Sequence, residues 1–401
     1  MIARAKGLSA VALVAAAWSF PALAADEPSP ALPLEAAYVG DLMRNTQGGL
    51  GRGGAYLDNF DLMATVDGGQ AFGVDGLTLH GHVMYNNGHA FSGRWVGDAQ
   101  GISNIEGVDT WRLYEFWGEL RFGASGRTTL RAGLYDLNSE FDSIETAGLF
   151  LNSSHGIGPD LAQTGENGPS IFPVTSLALR LQGAAATTGW YWQLAAFDAV
   201  PGEPGHPDRT SFELGGGEGA LLIGEFGRAV GPFRKLALGA WTYTAKFAAI
   251  GETDAAGDPV RDTGNRGFYA IAETTLVERE GLHATGWVRA GLADDRFNGF
   301  KNYVGLGASA AGLVPGRPDD QLGIALASVA AGGPWRDEMA LAGSATDARE
   351  TTLELTWRLP VADWLTLQPD LQYVINPGFD ASLDDAFVVG LRFELGTSWT
   401  R

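Results

Sequence analysis

Residues 352–359 read TLELTWRL, and residues 387–395 read FVVGLRFEL. In the first, Leu353, Leu355, Trp357 and Leu359 fall on one side, with Thr352, Glu354, Thr356 and Arg358 on the other. In the second, Phe387, Val389, Leu391, Phe393 and Leu395 oppose Arg392 and Glu394. A period of two marks a β-strand with unlike faces, because successive side chains point to opposite sides. The same alternation runs through 77–86 (LTLHGHVMYN) and 365–376 (LTLQPDLQYVIN). Pro369 sits inside the last pattern and predicts a bulge or a gap in the ladder, since proline has no N–H to donate.

Working outward, sixteen such segments are predicted, near 34–45, 54–69, 76–86, 110–123, 127–138, 174–184, 188–198, 217–228, 234–247, 266–278, 284–294, 300–312, 320–330, 349–360, 364–375 and 384–395. The number is even. Connections at 124–126, 185–187, 229–233 and 361–363 are short, whereas those at 87–109, 139–173, 199–216, 248–265 and 331–348 are long. Antiparallel strands with short turns at one end and long loops at the other describe a transmembrane barrel of the outer-membrane type. A soluble β-sandwich or propeller would not require that alternation. Phe122, Trp190, Phe226, Trp357, Trp364 and Phe393 fall near the short-turn ends, and Tyr85, Tyr373 and Phe387 near the opposite ends. Two aromatic bands are what amphipathic rings form at membrane interfaces. The fold class is therefore all-β, an antiparallel outer-membrane porin-type barrel of about 16 strands. Residues 25–401 are read as one domain, with 139–173 as its longest loop.

Composition narrows the function. The chain has 401 residues, 27 Lys and Arg against 47 Asp and Glu, a net charge of −20, 57 glycines and no cysteine. Nucleic acid is not expected as a partner, because phosphate binding needs clustered basic residues. Without cysteine there is no disulfide scaffold, thiolate metal site or cysteine nucleophile. Residues 1–24 read as a cleaved signal peptide: Arg4 and Lys6, the apolar run 7–20 (GLSAVALVAAAWSF), then Ala22-Leu23-Ala24. That run is shorter than the roughly 20 residues a membrane-spanning helix needs. Cleavage would start the mature chain at Ala25 and leave 25 basic against 47 acidic residues, or −22.

Chemical motifs are scarce. Residues 49–54 (GLGRGG) spell G-x-G-x-x-G, but they join two strands instead of opening a helix, so they are read as a loop. Residues 307–311 lack the last glycine of a nucleophile elbow. His80 and His82 share a strand face, as metal ligands can, with His89 close in sequence. They are read as polar filling of the lumen, and neither a metal nor a cofactor is expected. Glu252, Asp254, Asp258 and Asp262 gather in one long loop, where divalent cations could bridge them to anionic lipid.

The polar strand faces carry Asp61, Glu115, Glu119, Arg121, Arg131, Arg180, Glu225, Glu273, Arg289, Glu354, Arg358, Asp370, Arg392 and Glu394, with Trp117, Tyr135, Tyr191, Tyr269 and Trp287 among them. Sugar hydroxyls bond to carboxylates and guanidinium groups, and sugar C–H faces pack on aromatic rings. Mixed charge with aromatics thus suits a neutral sugar, whereas a lumen of one sign would suit an ion.

Residues 150–182 (FLNSSHGIGPDLAQTGENGPSIFPVTSLALRLQ) and 364–378 (WLTLQPDLQYVINPG) resemble signatures of the carbohydrate-selective porin (OprB) family. The stretch GGLGRGGAYLDNFDLMATVD from Gly48 resembles its first hairpin, and 350–358 (ETTLELTWR) fits as well. The resemblance runs from Leu34 to the end. It implies a sixteen-stranded outer-membrane barrel that passes monosaccharides, glucose above all. It also implies that 150–173 folds toward the pore and lends Asn152, Ser153, Ser154, Gln163 and Asn167 to a constriction, with Arg180 following. Two residues depart from the pattern: His155 stands where an aromatic is expected, and Arg401 where an aromatic normally ends the chain.

The reading is a non-enzymatic channel of the bacterial outer membrane for small carbohydrates. Glu115, Trp117, Glu119, Arg131 and Arg180 are the principal contacts, and Asp61, Tyr135, Arg289 and the loop residues line the path. A general or cation-selective porin is the alternative, favoured by the acidic total. A barrel hydrolase would need a Ser-His pair for which no motif exists. Partners implied are small carbohydrates, outer-membrane lipids including lipopolysaccharide, and the barrel-assembly machinery; monomer and oligomer stay open.

Overall fold

The computed structural model describes residues 33–400 except 89, 124–125, 186 and 212–217. The predicted signal peptide, His89 and Arg401 lie outside the described residues. The strands are β1 Pro33–Gln47, β2 Gly53–Asp67, β3 Leu77–Gly88, β4 Gly107–Phe122, β5 Thr128–Tyr135, β6 Ser176–Ala184, β7 Trp190–Asp198, β8 Ala220–Val230, β9 Phe233–Tyr243, β10 Phe247–Thr253, β11 Pro259–Asp262, β12 Arg266–Arg279, β13 Leu282–Ala293, β14 Phe300–Ala311, β15 Gln321–Ala331, β16 Arg349–Ala362, β17 Leu365–Ile375 and β18 Ala386–Thr400. Among the described residues, all but β10 and β11 form one closed barrel, each strand antiparallel to its neighbours, and β1 pairs with β18 to shut it. These sixteen strands are the sixteen predicted segments. The β10–β11 hairpin and the helix Gly333–Leu341 occupy two long loops and were not anticipated from the alternation.

The two faces are inverted relative to a soluble barrel. Along β16, Glu350, Thr352, Glu354 and Thr356 are buried, while Leu353 and Leu355 are exposed. Along β8, Leu222 and Phe226 point out and Glu225 points in. Phe116, Leu179, Leu238, Phe268 and Ile324 continue the outward apolar band. Such a surface is stable only against hydrocarbon, and the closed ladder leaves no unpaired edge to face it. Exposed Phe122, Trp190, Phe226 and Trp364 lie at the short-turn end, with Trp190 stacked on Phe226 at 4.8 Å. At the loop end, Trp111 packs beside Tyr85 at 5.0 Å.

Two irregularities matter. At Pro369 the β16–β17 pairing passes from Thr356↔Asp370 to Leu359↔Leu367 with the register unchanged, so the proline marks a gap and not a bulge. Between β3 and β4, His82 faces Glu115 while Val83 faces Leu113, which makes Tyr114 the extra residue of a bulge. The bulge turns Tyr114 inward beside Glu115.

Candidate functional site

A barrel this wide would be an open aqueous hole unless something filled it. The segment 136–175 does so, and the inner wall holds it by hydrogen bonds from strands around half the circumference. Glu273 of β12 accepts from the Thr146 N–H at 2.7 Å and its hydroxyl at 2.6 Å. Glu354 of β16 accepts from the backbone N–H of Leu151 at 2.6 Å and of Asn152 at 3.0 Å. Gln368 of β17 donates to the Leu149 carbonyl at 2.7 Å. Arg289 of β13 grips Asp142 with two bonds, 3.0 and 2.7 Å, and also bonds Asp160. All three of those side chains are essentially sealed from solvent. The approach is close enough to demand glycine: a Cβ at Gly291 would collide with Asp160 Oδ2, and one at Gly158 with Arg289 Nη1. A second loop, after β3, also bends inward. Gln372 donates to the Ile102 carbonyl at 2.8 Å, and the Ser103 hydroxyl to Asp41 at 2.7 Å.

Between the first loop and the β4–β6 wall lies a cluster of different character. Arg180 donates to Glu119 at 2.9 Å and to Glu140 at 2.8 Å. Arg131 donates to Glu119 at 3.1 Å and lies 3.5 Å from Glu140. Register sets this up: Glu119 is opposite Arg131, and Arg131 is opposite Arg180, on one inward face. The Arg131, Glu119 and Glu140 side chains keep 11%, 17% and 15% of their surface in water, against 2% or less at Arg289. Arg131, Glu119 and Glu140 therefore keep one side toward water, whereas Arg180, with 1% of its side chain exposed, is as sealed as Arg289. Two cations face two anions, so the cluster is balanced in charge. The Arg131 guanidinium lies 3.8 Å from the centroid of the Trp117 ring, and His80 stacks on that ring at 4.9 Å. Trp117 thus orients Arg131 instead of offering a bare ring.

The remaining sequence-predicted residues are placed as follows. Glu115 accepts the Asp136 N–H at 2.9 Å through one oxygen and turns the other toward His80 at 3.5 Å. Asp61 accepts from Asn59 at 2.7 Å and bonds His82 at 2.8 Å. Tyr135 is fully buried against Phe197. Asn152 caps the Ser154 N–H at 3.0 Å and donates to Gln372 at 3.1 Å. Ser153 and Ser154 bond the second loop through the Ser103 and Gln100 carbonyls, each at 3.3 Å. Gln163 and Asn167 lie exposed and donate to the Ala99 and Pro201 carbonyls, both at 2.6 Å. Asn152, Ser154, Tyr135 and Arg289 therefore hold the loops and do not meet open water. Glu140, Asp142 and Asp160 were missed by sequence reasoning, because alternation assigns faces only on strands and these three lie on the irregular loop. Of the acidic loop group, Glu252 and Asp262 are engaged by Arg296 at 2.8 and 3.0 Å, and Asp254 caps its own turn. The Arg296 bond holds the Glu252 carboxyl below its ordinary range.

Among the loop carboxyls that burial raises, Asp136 and Glu106 reach the neutral range. Burial pushes Asp136 up to about 7, with Glu115 adding to it. Burial pushes Glu106 up to about 7, with Asp98 adding to it. A carboxyl raised on folding binds its proton more tightly in the native state, so its stabilisation is complete below the ordinary value and lost as pH rises through about 7. The melting temperature should accordingly fall between about pH 5 and about pH 8, less steeply in D136N. An equal or rising melting temperature over that window would contradict the assignment.

The family model for the carbohydrate-selective porin, OprB family, matches residues 51–396. Porin B of Pseudomonas aeruginosa is 25% identical, over 89% of this chain and 86% of its own. The high pH structure of Pseudomonas putida OprB superposes with a TM-score of 0.80 at 22% identity, over 92% of this chain and 94% of that one. An anion-selective porin from Comamonas acidovorans shares the fold at a TM-score of 0.51 and 14% identity, over 91% and 99% of the two chains. With the inverted barrel and the infolded loop, these matches place the protein in the bacterial outer membrane as a channel, and the chain belongs to the carbohydrate-selective porin, OprB family.

Proposed function

We propose that the protein passes monosaccharides such as glucose by passive diffusion, through a constriction that binds them weakly. The observation that carries this reading is the partly exposed group of Arg131, Glu119 and Glu140, balanced in charge by the buried Arg180 that bonds both carboxylates. It offers charged donors and acceptors side by side with no net charge. A sugar hydroxyl both donates and accepts, so it can exchange water for Glu119 or Glu140 and for a guanidinium at once. An ion gains nothing net from such a site, despite the acidic total of the chain. Each protein–sugar bond replaces a bond to water, so the net gain is small and release is quick.

The test is swelling of liposomes carrying the purified protein, read with a size series of sugars and non-sugar solutes, beside the reversal potential in a salt gradient. Expected are faster swelling with monosaccharides than with non-sugar solutes of the same size, and weak ion selectivity. Strong cation selectivity with swelling rates that follow size alone would favour the general or cation-selective porin.

A further inference from the structure

Beside the sugar path, the β2–β4 wall gathers a second set of groups. Alternation along β3 turns His80 and His82 to the same inward face. Alternation along β4 from Glu119 through Trp117 turns Glu115 inward, opposite His82. One nitrogen of each histidine and one Glu115 oxygen consequently lie within 4.8 Å of one another, and all three residues are buried. His80 Nε2 is already 3.5 Å from Glu115 Oε2.

From this arrangement we propose that His80, His82 and Glu115 form a lumen-wall site for a divalent transition metal of the zinc class. Two imidazoles and one carboxylate are the donor set of an open zinc site, with the fourth position left to water. The surroundings match what such ligands need. A metal-bound imidazole is oriented by a hydrogen bond to its other nitrogen. Thr65 Oγ1 lies 2.9 Å from His80 Nδ1, and Asp61 Oδ1 lies 2.8 Å from His82 Nε2. Thr65 stands opposite His80 in the β2–β3 register, and Asp61 stands diagonal to His82, so the backbone ladder itself sets both partners. Glu115 Oε1 is held by the Asp136 N–H at 2.9 Å, which leaves Oε2 as a single ligand oxygen. Stacked on Trp117 at 4.9 Å, His80 has little freedom to turn away. Closure onto an ion asks only for small side-chain shifts, since zinc holds nitrogen and oxygen ligands at about 2.0–2.2 Å.

Cobalt(II) titrated into untagged, refolded protein, with zinc as the displacing ion, tests the site. Expected is saturable uptake of about one ion per chain, with the visible spectrum of a low-coordinate site, reversed by zinc. H82A and E115Q should abolish that spectrum. D61N, which removes only an orienting partner, should weaken binding about 10- to 100-fold. Heat-modifiable gel mobility reports whether each variant closed its barrel, and H82Q replaces H82A if that variant does not close. Absence of saturable uptake, or uptake unchanged in folded H82Q and E115Q, overturns the proposal.

Discussion

Replacing Arg289 with alanine should release the infolded loop and widen the channel. The guanidinium is the only cation bonded to Asp142 and Asp160 among the described contacts, and both carboxylates are sealed from solvent. Removing one partner of a buried ion pair costs about 3–5 kcal/mol, because the charge left behind has neither water nor counterion. Here two carboxylates are stranded together. The barrel ladder does not depend on Arg289, so the loss falls on loop docking. Expected are a folded barrel, a larger and noisier single-channel conductance, and faster entry of long sugars. D142N/D160N combined with R289A should recover part of the docking, because neutral side chains no longer repel. Conductance identical to wild type in R289A would mean that Glu273, Glu354 and Gln368 hold the loop unaided.

The second large effect is expected at Arg131 and Arg180. Hydrogen bonds to charged groups contribute about 1.5–3 kcal/mol each. Losing one such bond to sugar weakens binding roughly ten- to a hundredfold. Binding that starts weak then falls below what a sugar titration can register, so R131A/R180A should lose glucose-induced block altogether. The double variant also strips two positive charges from beside Glu119 and Glu140. Its reversal potential should move toward cation selectivity. Those two shifts belong together: loss of block without the selectivity shift would place the two arginines away from the water path.

The fold was legible because a membrane barrel writes its geometry into a period of two. TLELTWRL in β16 and FVVGLRFEL in β18 each alternate cleanly, since one face meets hydrocarbon and the other meets water or a polar loop. Tyr114 shows the limit of that signal. The bulge breaks phase for one residue, and only the β3 partner reveals which way the chain turns afterwards. The helix Gly333–Leu341 has no buried residues, so no apolar stripe announced it. The site was legible in half. Glu119, Arg131 and Arg180 lie on regular strands, where alternation assigns the face and register assigns the neighbours. Glu140, Asp142 and Asp160 lie on an irregular loop, whose path depends on contacts far apart in sequence. Arg289 and Arg131 look alike in the strand pattern, yet the loop covers the first and leaves the second open to water.

The single-channel current of the wild-type protein, titrated with glucose, bears most directly on the constriction. Weak binding at the Arg131–Arg180 cluster predicts a stepwise conductance that falls with glucose and saturates. A stepwise conductance that glucose leaves unchanged, or lowers only in proportion to viscosity, would contradict it.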